Sequence, residues 1–519
     1  MIVRDIDALP SAPPDGRHVV VVGAGTIGLY LAKLLAEKGL HVTVVEAGDA
    51  ALGAFTGESF RSVGRHHQGV RTGRSRSIGG TSNLWGGQLV EFQSSDFQGR
   101  PWLPGSAWPI DHAEIQPYFS RTFERLGIAP EIQTDETVWK GRAGDTPRFN
   151  DDIEIFLTRW MKTPSMAVLY ADDIRDNPRL AILSRHTAVG FRGSDQRIEA
   201  VVVRDAAGRS RQIAADRFVV AAGTIETVRL LMAAAIDPAW QCPWKSNGML
   251  GLRFQDHLGG RLGTVEPIDK KRLFDTFSTL YWRGNKFQPK LRVKELVCLA
   301  NGLFGAQGIM TFESSATEHL VFLKQFLKAA IYSRRLTGVG DFCRHAVACA
   351  RHLPPLMWTY IKEHRMFVPF DSRIVLNLQA EQVPSDRSRI TIDPSRIAAD
   401  GLPQAVVDWH VTGDELPTIR DLAERCGRAL ETAGLGRLTI EPELLALQPS
   451  YMDALHDTYH AAGGAIMAAD EADGVVDRDL LVFGTANLHV ASPATFPTSS
   501  SANVTFTALA LATRLSKEF

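Results

Sequence analysis

The chain has 519 residues, a formal net charge of −1 and 45% hydrophobic residues. That length exceeds one ordinary domain of about 150 residues, so two or more cores are expected, and the near-neutral charge argues against nucleic acid as a partner. Five scattered cysteines (Cys242, Cys298, Cys343, Cys349 and Cys426) contain no C-x-x-C pair; they offer neither a metal site nor a disulfide framework and fit a reducing, cytoplasmic setting.

Met1 to Gly16 is polar and proline-rich, without the apolar core of a secretion signal. No apolar run is long enough to serve as a membrane span. Val19 to Val22 then reads as a buried parallel strand. Gly23, Gly25 and Gly28 follow in G-x-G-x-x-G spacing, with Thr26 and Ile27 inside the motif. The first glycine allows a tight turn, the second admits a pyrophosphate, and the third lets a helix pack on the strand. The helix, from Leu29 to Lys38, presents free N–H groups to phosphate at its start. His41 to Val45 is the second strand, and Glu46, followed by Ala47, closes it with an acceptor for ribose hydroxyls. An acid there disfavours NADP.

Residues 57–76 carry Arg61, Arg65, Arg71, Arg74 and Arg76 around His66 and His67. Most of these arginines read as a solvated surface; Arg74 and Arg76 are left open as phosphate contacts. Ile78 to Gly87 holds two Gly-Gly pairs, the second just after Asn83, Leu84 and Trp85. Such a run suits a loop lying along a flat cofactor ring. Phe97 to Leu126 carries Trp102 and Trp108; Tyr118, Phe119 and Phe123, at helical spacing, are read as core, and residues 127–165 have no assigned role.

Strands are expected at 180–183, 187–192, 198–204 and 211–213, with a hairpin turn at Gly208. Phe218 to Leu231 reads as strand, glycine turn and helix start, with Ala222 and Gly223 at a second meeting of backbone and dinucleotide. Gln255-Asp256-His257 is a polar patch in a glycine-bounded loop. Residues 263–380 are hard to read. Within them 320–365 combines Leu, Phe, Trp358 and basic residues, and is expected to form a helical insert that docks on a membrane face, a partner or a second subunit. The alternative is lysines and arginines snorkelling from an ordinary core. Asp400-Gly401 marks a turn, and 414–434 an amphipathic helix. His456 and His460 precede Gly463-Gly464, followed by Gly474-Val-Val-Asp477, the strand 487–491, Phe496-Pro-Thr498 and Ser501-Ala-Asn503-Val-Thr505.

Taken together these segments resemble the glucose–methanol–choline (GMC) family of FAD-dependent alcohol oxidoreductases. The resemblance runs over nearly the whole chain, is weak between Glu266 and Arg373, and is most specific in the C-terminal order H-x-x-G-G, G-V-V-D, N-L-x-V, F-P-T and S-A-N-V-T. It implies His460 and Asn503 as the catalytic pair beside flavin N5. It implies cofactor contacts at Gly80, Thr81, Asn83, Leu84, Trp85, Gly86 and Gly87, at Asn487, Ser492 and Thr505, and an adenine contact near Val189. Trp85 resembles the branch of pyranose oxidases and bacterial sugar dehydrogenases; in pyranose oxidase a histidine before that tryptophan carries the flavin covalently. Leu84 stands there in this chain, so FAD is expected to be non-covalent.

The chemistry follows from the pair. Oxidising an alcohol removes a hydride and a hydroxyl proton; flavin N5 takes the hydride, and His460 is expected to take the proton near neutral pH. Asn503 orients the substrate oxygen. His456, His489 and His257 are read as ordinary satisfied histidines. A serine hydrolase needs a G-x-S-x-G elbow, which is absent; a flavin-fold scaffold without turnover is the non-enzymatic alternative. The expected substrate is a sugar, glycoside or polyol, with a hydrophobic aromatic or lipid-like alcohol second, and oxygen or another acceptor takes the electrons. The expected fold is α/β: a Rossmann-like FAD-binding domain from 15–95, 176–262 and 470–519. A substrate domain with a mixed, mainly antiparallel sheet is expected from 96–175 and 263–469.

Overall fold

The computed structural model describes residues 1–10, 17–50, 59–103, 105–142, 146–314, 319–323, 326 and 339–519. Their strands form four sheets. The first has six parallel strands in the order Ile2–Val3, Leu180–Leu183, His41–Val45, His18–Val22, Arg217–Val220 and Leu488–Val490. Val20 and Val21 are fully buried in it, as expected for a strand covered on both faces; each such side chain contributes about 1.5–3 kcal/mol by leaving water. Helix Thr26–Glu37 is apolar almost all round and packs against helix Val504–Leu515, so both are interior.

The parallel strands point their C-terminal ends one way. Gly23, Glu46 and Ala221 therefore leave the sheet along a single edge, where ligands of open α/β sheets bind. Asn487 lies at the opposite, N-terminal end of its strand. Its side chain accepts from the Ile198 N–H at 2.9 Å and donates to the Ile198 and Asp216 carbonyls, both at 2.8 Å. The structure corrects the expectation for this residue: Asn487 is a strut between sheets, with its amide spent on backbone.

A second sheet of nine strands is antiparallel throughout. It runs from Gly436–Ile440 through Leu258–Pro267, Arg373–Ala380, Ala306–Glu313, Asn285–Val293 and Ile153–Trp160 to Gln88–Leu89. One of its strands, 88–89, falls in a segment expected to belong to the FAD-binding domain, and another, 258–267, straddles the expected boundary at 262. The unassigned stretch 127–165 contains helix Asp135–Arg142 and the long strand Ile153–Trp160. That strand is buried on both faces, which removes the alternation that would reveal it.

The hairpin expected at Gly208 is present in a three-stranded sheet of His186–Ser194, Arg197–Asp205 and Ser210–Ala214. A last sheet pairs Phe60–Gly64 in parallel with Pro403–Trp409, and the latter with Arg389–Ile397. It brings the arginine-rich early segment to the Asp400-Gly401 turn.

The described part of the insert includes helices Val339–Cys349 and Leu353–Trp358. Met357, Trp358, Tyr360 and Ile361 are more than half exposed, so this run is not part of an ordinary core. Lys324, Leu327, Lys328, Ala330, Ile331 and Arg335 lie outside the described residues. Among the described residues no helix is long and apolar enough to cross a membrane.

Candidate active site

A cavity opens along the C-terminal edge of the parallel sheet. Gly23, Gly25, Thr26, Ile27, Glu46 and Ala47 line one side of it. Arg76, Gly80, Thr81 and Trp85 line another, and Ala222, Gly223 and Thr505 complete the expected residues on its wall.

The local geometry explains these placements. Gly23 has φ +104°, and a Cβ there would meet the Ala221 carbonyl oxygen at 2.7 Å. Gly28 lies beneath the loop, where a Cβ would stand 1.9 Å from the Gly23 oxygen. Gly25 and Gly223 face open space instead, and each precedes a helix, Thr26–Glu37 and Thr224–Ala235. Two helix N-termini thus border the same cavity, a favourable setting for a diphosphate. Gly79 donates its N–H to the Ala24 oxygen at 2.8 Å, and a Cβ on Gly80 would lie 2.8 Å from the Gly25 Cα. The second glycine-rich loop is therefore laid directly on the first.

Glu46 is buried at the end of its strand and accepts from the Ala24 and Gly48 N–H groups at 2.9 and 2.8 Å. Burial raises its carboxyl pKa, while those hydrogen bonds work the other way. Each oxygen has a second lone pair for a ribose hydroxyl. These features fit FAD: open glycine faces and helix ends for the diphosphate, and a fixed carboxylate for the ribose.

Other expected contacts are placed differently. Asn83 spends its amide on the Ile78 carbonyl, Ser77 and Ser165, so it shapes the loop. Leu84 is exposed, whereas Trp85 is pinned by a 2.8 Å bond to the Pro164 oxygen. Gly86 and Gly87 are small because Trp160 and Pro164 stand where side chains would be. Ser492 caps the short turn Pro493–Thr495, accepting from the Ala494 N–H at 3.2 Å. The cavity wall includes His186, Thr187 and Ala188; Val189 sits one residue on, in the bulge between Ala188 and Gly190. Arg76 reaches the wall but is paired with Glu226 and Asp400. Arg229, fully buried, holds the same two carboxylates.

His460 and Asn503 come together although 43 residues separate them: Asn503 Nδ2 donates to His460 Nε2 at 2.8 Å. His460 Nδ1 lies 2.8 Å from Thr458 Oγ1. With the proton on Nδ1, that nitrogen donates to Thr458, and Nε2 presents its lone pair beside the amide. Burial, with help from neighbouring His257, pushes the His460 pKa down to about 3. The imidazole is therefore neutral, the form a base requires.

Asp256 is the support that sequence reading missed. It is fully buried, and its Oδ1 accepts from the His460 and Thr458 N–H groups at 2.8 and 3.2 Å. Its Oδ2 is 3.0 Å from Nε2 of His67, whose ring is boxed by Phe254 and Trp409. Burial opposes the Asp256 charge, yet the hydrogen bond and charge of His67 hold its carboxyl below the usual range. The His257 ring lies tilted against that of His460, centroids 4.8 Å apart, donating from Nε2 to the Ser499 carbonyl and accepting at Nδ1 from Gln379. Gln255-Asp256-His257 was visible as a polar patch, but its partners lie hundreds of residues away.

One prediction follows from the His460 environment. With a neutral sugar, the anaerobic rate of flavin reduction should stay flat between about pH 8 and about pH 5, because His460 stays unprotonated over that range. A fall in rate centred near the ordinary imidazole value, about 6.5, in stopped-flow traces would show a solvated, titrating base instead.

Comparisons with known proteins agree with this geometry. Residues 18–240 match the family profile described as FAD dependent oxidoreductase, and residues 384–512 match that described as GMC oxidoreductase. The chain is 22% identical to 6'''-hydroxyparomomycin C oxidase of Streptomyces lividus, over 96% of this chain and 90% of that one. It is 24% identical to the fructose dehydrogenase large subunit of Gluconobacter japonicus, over 61% and 49% respectively. Its fold is similar to that of pyridoxine 4-oxidase from Mesorbium loti, with a TM-score of 0.55 at 17% identity, covering 97% and 99% of the two chains. The protein is an FAD-dependent oxidoreductase. Within that class it is similar to the GMC oxidoreductases, whose family profile its residues 384–512 match.

Proposed function

We propose that the protein oxidises a sugar, glycoside or related polyol to the carbonyl, with His460 as base. The observation that carries this reading is the face of the nine-stranded sheet that meets the catalytic pair. Cross-strand register places Gln88, Thr158, Gln288, Lys290, Gln307 and Gln379 on it. Gln88 donates to Thr158 and Gln288 at 2.9 and 3.0 Å, and Gln379 lies 3.5 Å from Asn503 Oδ1. Amides of this kind both donate and accept, which suits a row of hydroxyls. An aromatic or lipid-like alcohol calls for apolar walls. The relatives named for fructose and for 6'''-hydroxyparomomycin C, a dehydrogenase and an oxidase, support the same direction.

When bound, FAD supplies the hydride acceptor. His460 Nε2 takes the hydroxyl proton as the C–H bond gives up its hydride. The Asn503 amide holds the substrate oxygen beside that lone pair. Asp256 fixes the backbone of Thr458 and His460, so the base is positioned before substrate arrives. The 2.8 Å contact between His460 and Asn503 supports turnover over a silent scaffold.

The test is anaerobic: sugars, polyols and hydrophobic alcohols are mixed with the yellow enzyme and bleaching is recorded. Polyols should bleach it at the lowest concentrations. Bleaching by hydrophobic alcohols alone would overturn the substrate class. Mixing the reduced enzyme with oxygen then separates oxygen from another acceptor.

The FAD is held without a covalent bond in this reading. Leu84 has no group to form one, and His67 is buried against Asp256. Acid precipitation should release all the yellow colour into the supernatant; colour left in the pellet would point to His66 or His67. The scattered placing of the five cysteines, with no C-x-x-C pair, supports a reducing, cytoplasmic setting. Exposed Trp358 and Ile361 support a peripheral contact of the insert with a membrane face or another subunit.

A further inference from the structure

Lys290 lies on the polar face just described, in strand Asn285–Val293, and is 1% exposed. Its ammonium makes one long contact, 3.5 Å to Gln88 Oε1. Among the described residues no carboxylate is paired with it. Other buried cations of the protein are treated differently. Arg100 is held by both oxygens of Glu381, and Arg229 by both oxygens of Asp400. A buried charge without a counter-charge is costly and is retained where something pairs with it.

The surroundings say what that partner is. The ammonium shares its face with Gln88 and Gln288, and its charge reaches the rings of His257 and His460. One cation flanked by amides matches a singly charged carboxylate. A phosphate would call for several charged donors or an arginine fork.

We propose that Lys290, held by Gln88 and joined by the Gln288 amide, forms a carboxylate subsite on this polar face, and that the preferred substrate is a sugar acid oxidised at a hydroxyl away from its carboxylate. This deepens, and rests on, the polyol reading above. Burial alone lowers the Lys290 pKa to about 7, so the free site holds its charge loosely. A bound carboxylate supplies the missing counter-charge and fixes the proton on the amine.

Two measurements on the holoenzyme decide the matter. In the first, D-gluconate and D-glucose are compared for anaerobic flavin reduction in the parent, Lys290→Gln and Lys290→Arg. The parent should respond to gluconate at concentrations on the order of 10²-fold lower than glucose. That ratio should collapse towards one in Lys290→Gln and survive in part in Lys290→Arg. Equal responses in the parent, or a ratio unchanged in Lys290→Gln, would overturn the proposal.

In the second, acetate is titrated calorimetrically into the oxidised parent and Lys290→Gln enzymes, whose FAD content and melting confirm their folding. Binding by the parent that disappears in the variant supports the subsite. Absence of binding by the parent overturns it, even if the variant fails to fold. Should only hydrophobic alcohols bleach the flavin, the polyol reading fails and the sugar-acid assignment with it. The acetate titration still decides the carboxylate subsite.

Discussion

Replacing His460 with alanine should slow flavin reduction by about 10²–10⁴-fold, the range a general base contributes, while FAD content stays near normal. The separation of the two effects has a structural basis. His460 touches Asn503, Thr458 and the His257 ring, but the glycine loops, helix ends and Glu46 that suit the dinucleotide belong to other segments. Asn503→Ala should cost less, because it removes an orienting amide and leaves the lone pair of Nε2. Stopped-flow reduction with a saturating polyol, beside the flavin-to-protein absorbance ratio, reads both quantities. A His460→Ala enzyme reduced at the parent rate would remove the base assignment.

Asp400→Ala should destabilise the protein by about 3–5 kcal/mol, the usual cost of removing one partner from a buried ion pair. Asp400 accepts from Arg229 through both oxygens, each at 2.9 Å, and also from Arg76. Burial alone would raise its pKa, but Arg229 and then Arg76 hold the carboxyl below the usual range. The contribution is therefore present above the ordinary aspartate pKa and is lost as pH falls through the lower, folded value. Without Asp400, Glu226 is the carboxylate left beside the two arginines among the described residues. Because Arg76 and Glu226 line the cavity, FAD should also be retained less well. Denaturant melts and FAD release on gel filtration check the two effects; Asp400→Asn, which keeps the shape, should fall between parent and alanine.

What was legible before the structure was mostly local. Val19 to Glu46 announces strand, turn, helix and strand within one short stretch, and each step has its own residue signal. Phe218 to Leu231 was readable for the same reason. The polar sheet face was not, because Lys290 meets Gln88, and Gln379 meets His257, only through antiparallel pairing whose register is set by the whole sheet. Asp400-Gly401 was read correctly as a turn, but nothing in a turn reports two arginines arriving from elsewhere. Asn487 shows the opposite error. The family resemblance implies a cofactor contact at Asn487, whereas the strand's direction puts it at the far end.

The pairing of Phe218 with Leu488 has a consequence for how the molecule comes into being. The last strand of the parallel sheet is supplied about half a chain after its neighbour. A ribosome therefore releases Arg217–Val220 long before Leu488–Val490 exists to cover its edge. Until then that edge is an open template for mispairing. Asn503 is later still, so the nascent protein holds its dinucleotide loops for much of synthesis without a catalytic pair. Thr505 of the cavity wall arrives with Asn503, so a chain stalled before residue 488 lacks part of the cofactor site as well as the catalytic pair and is exposed to aggregation.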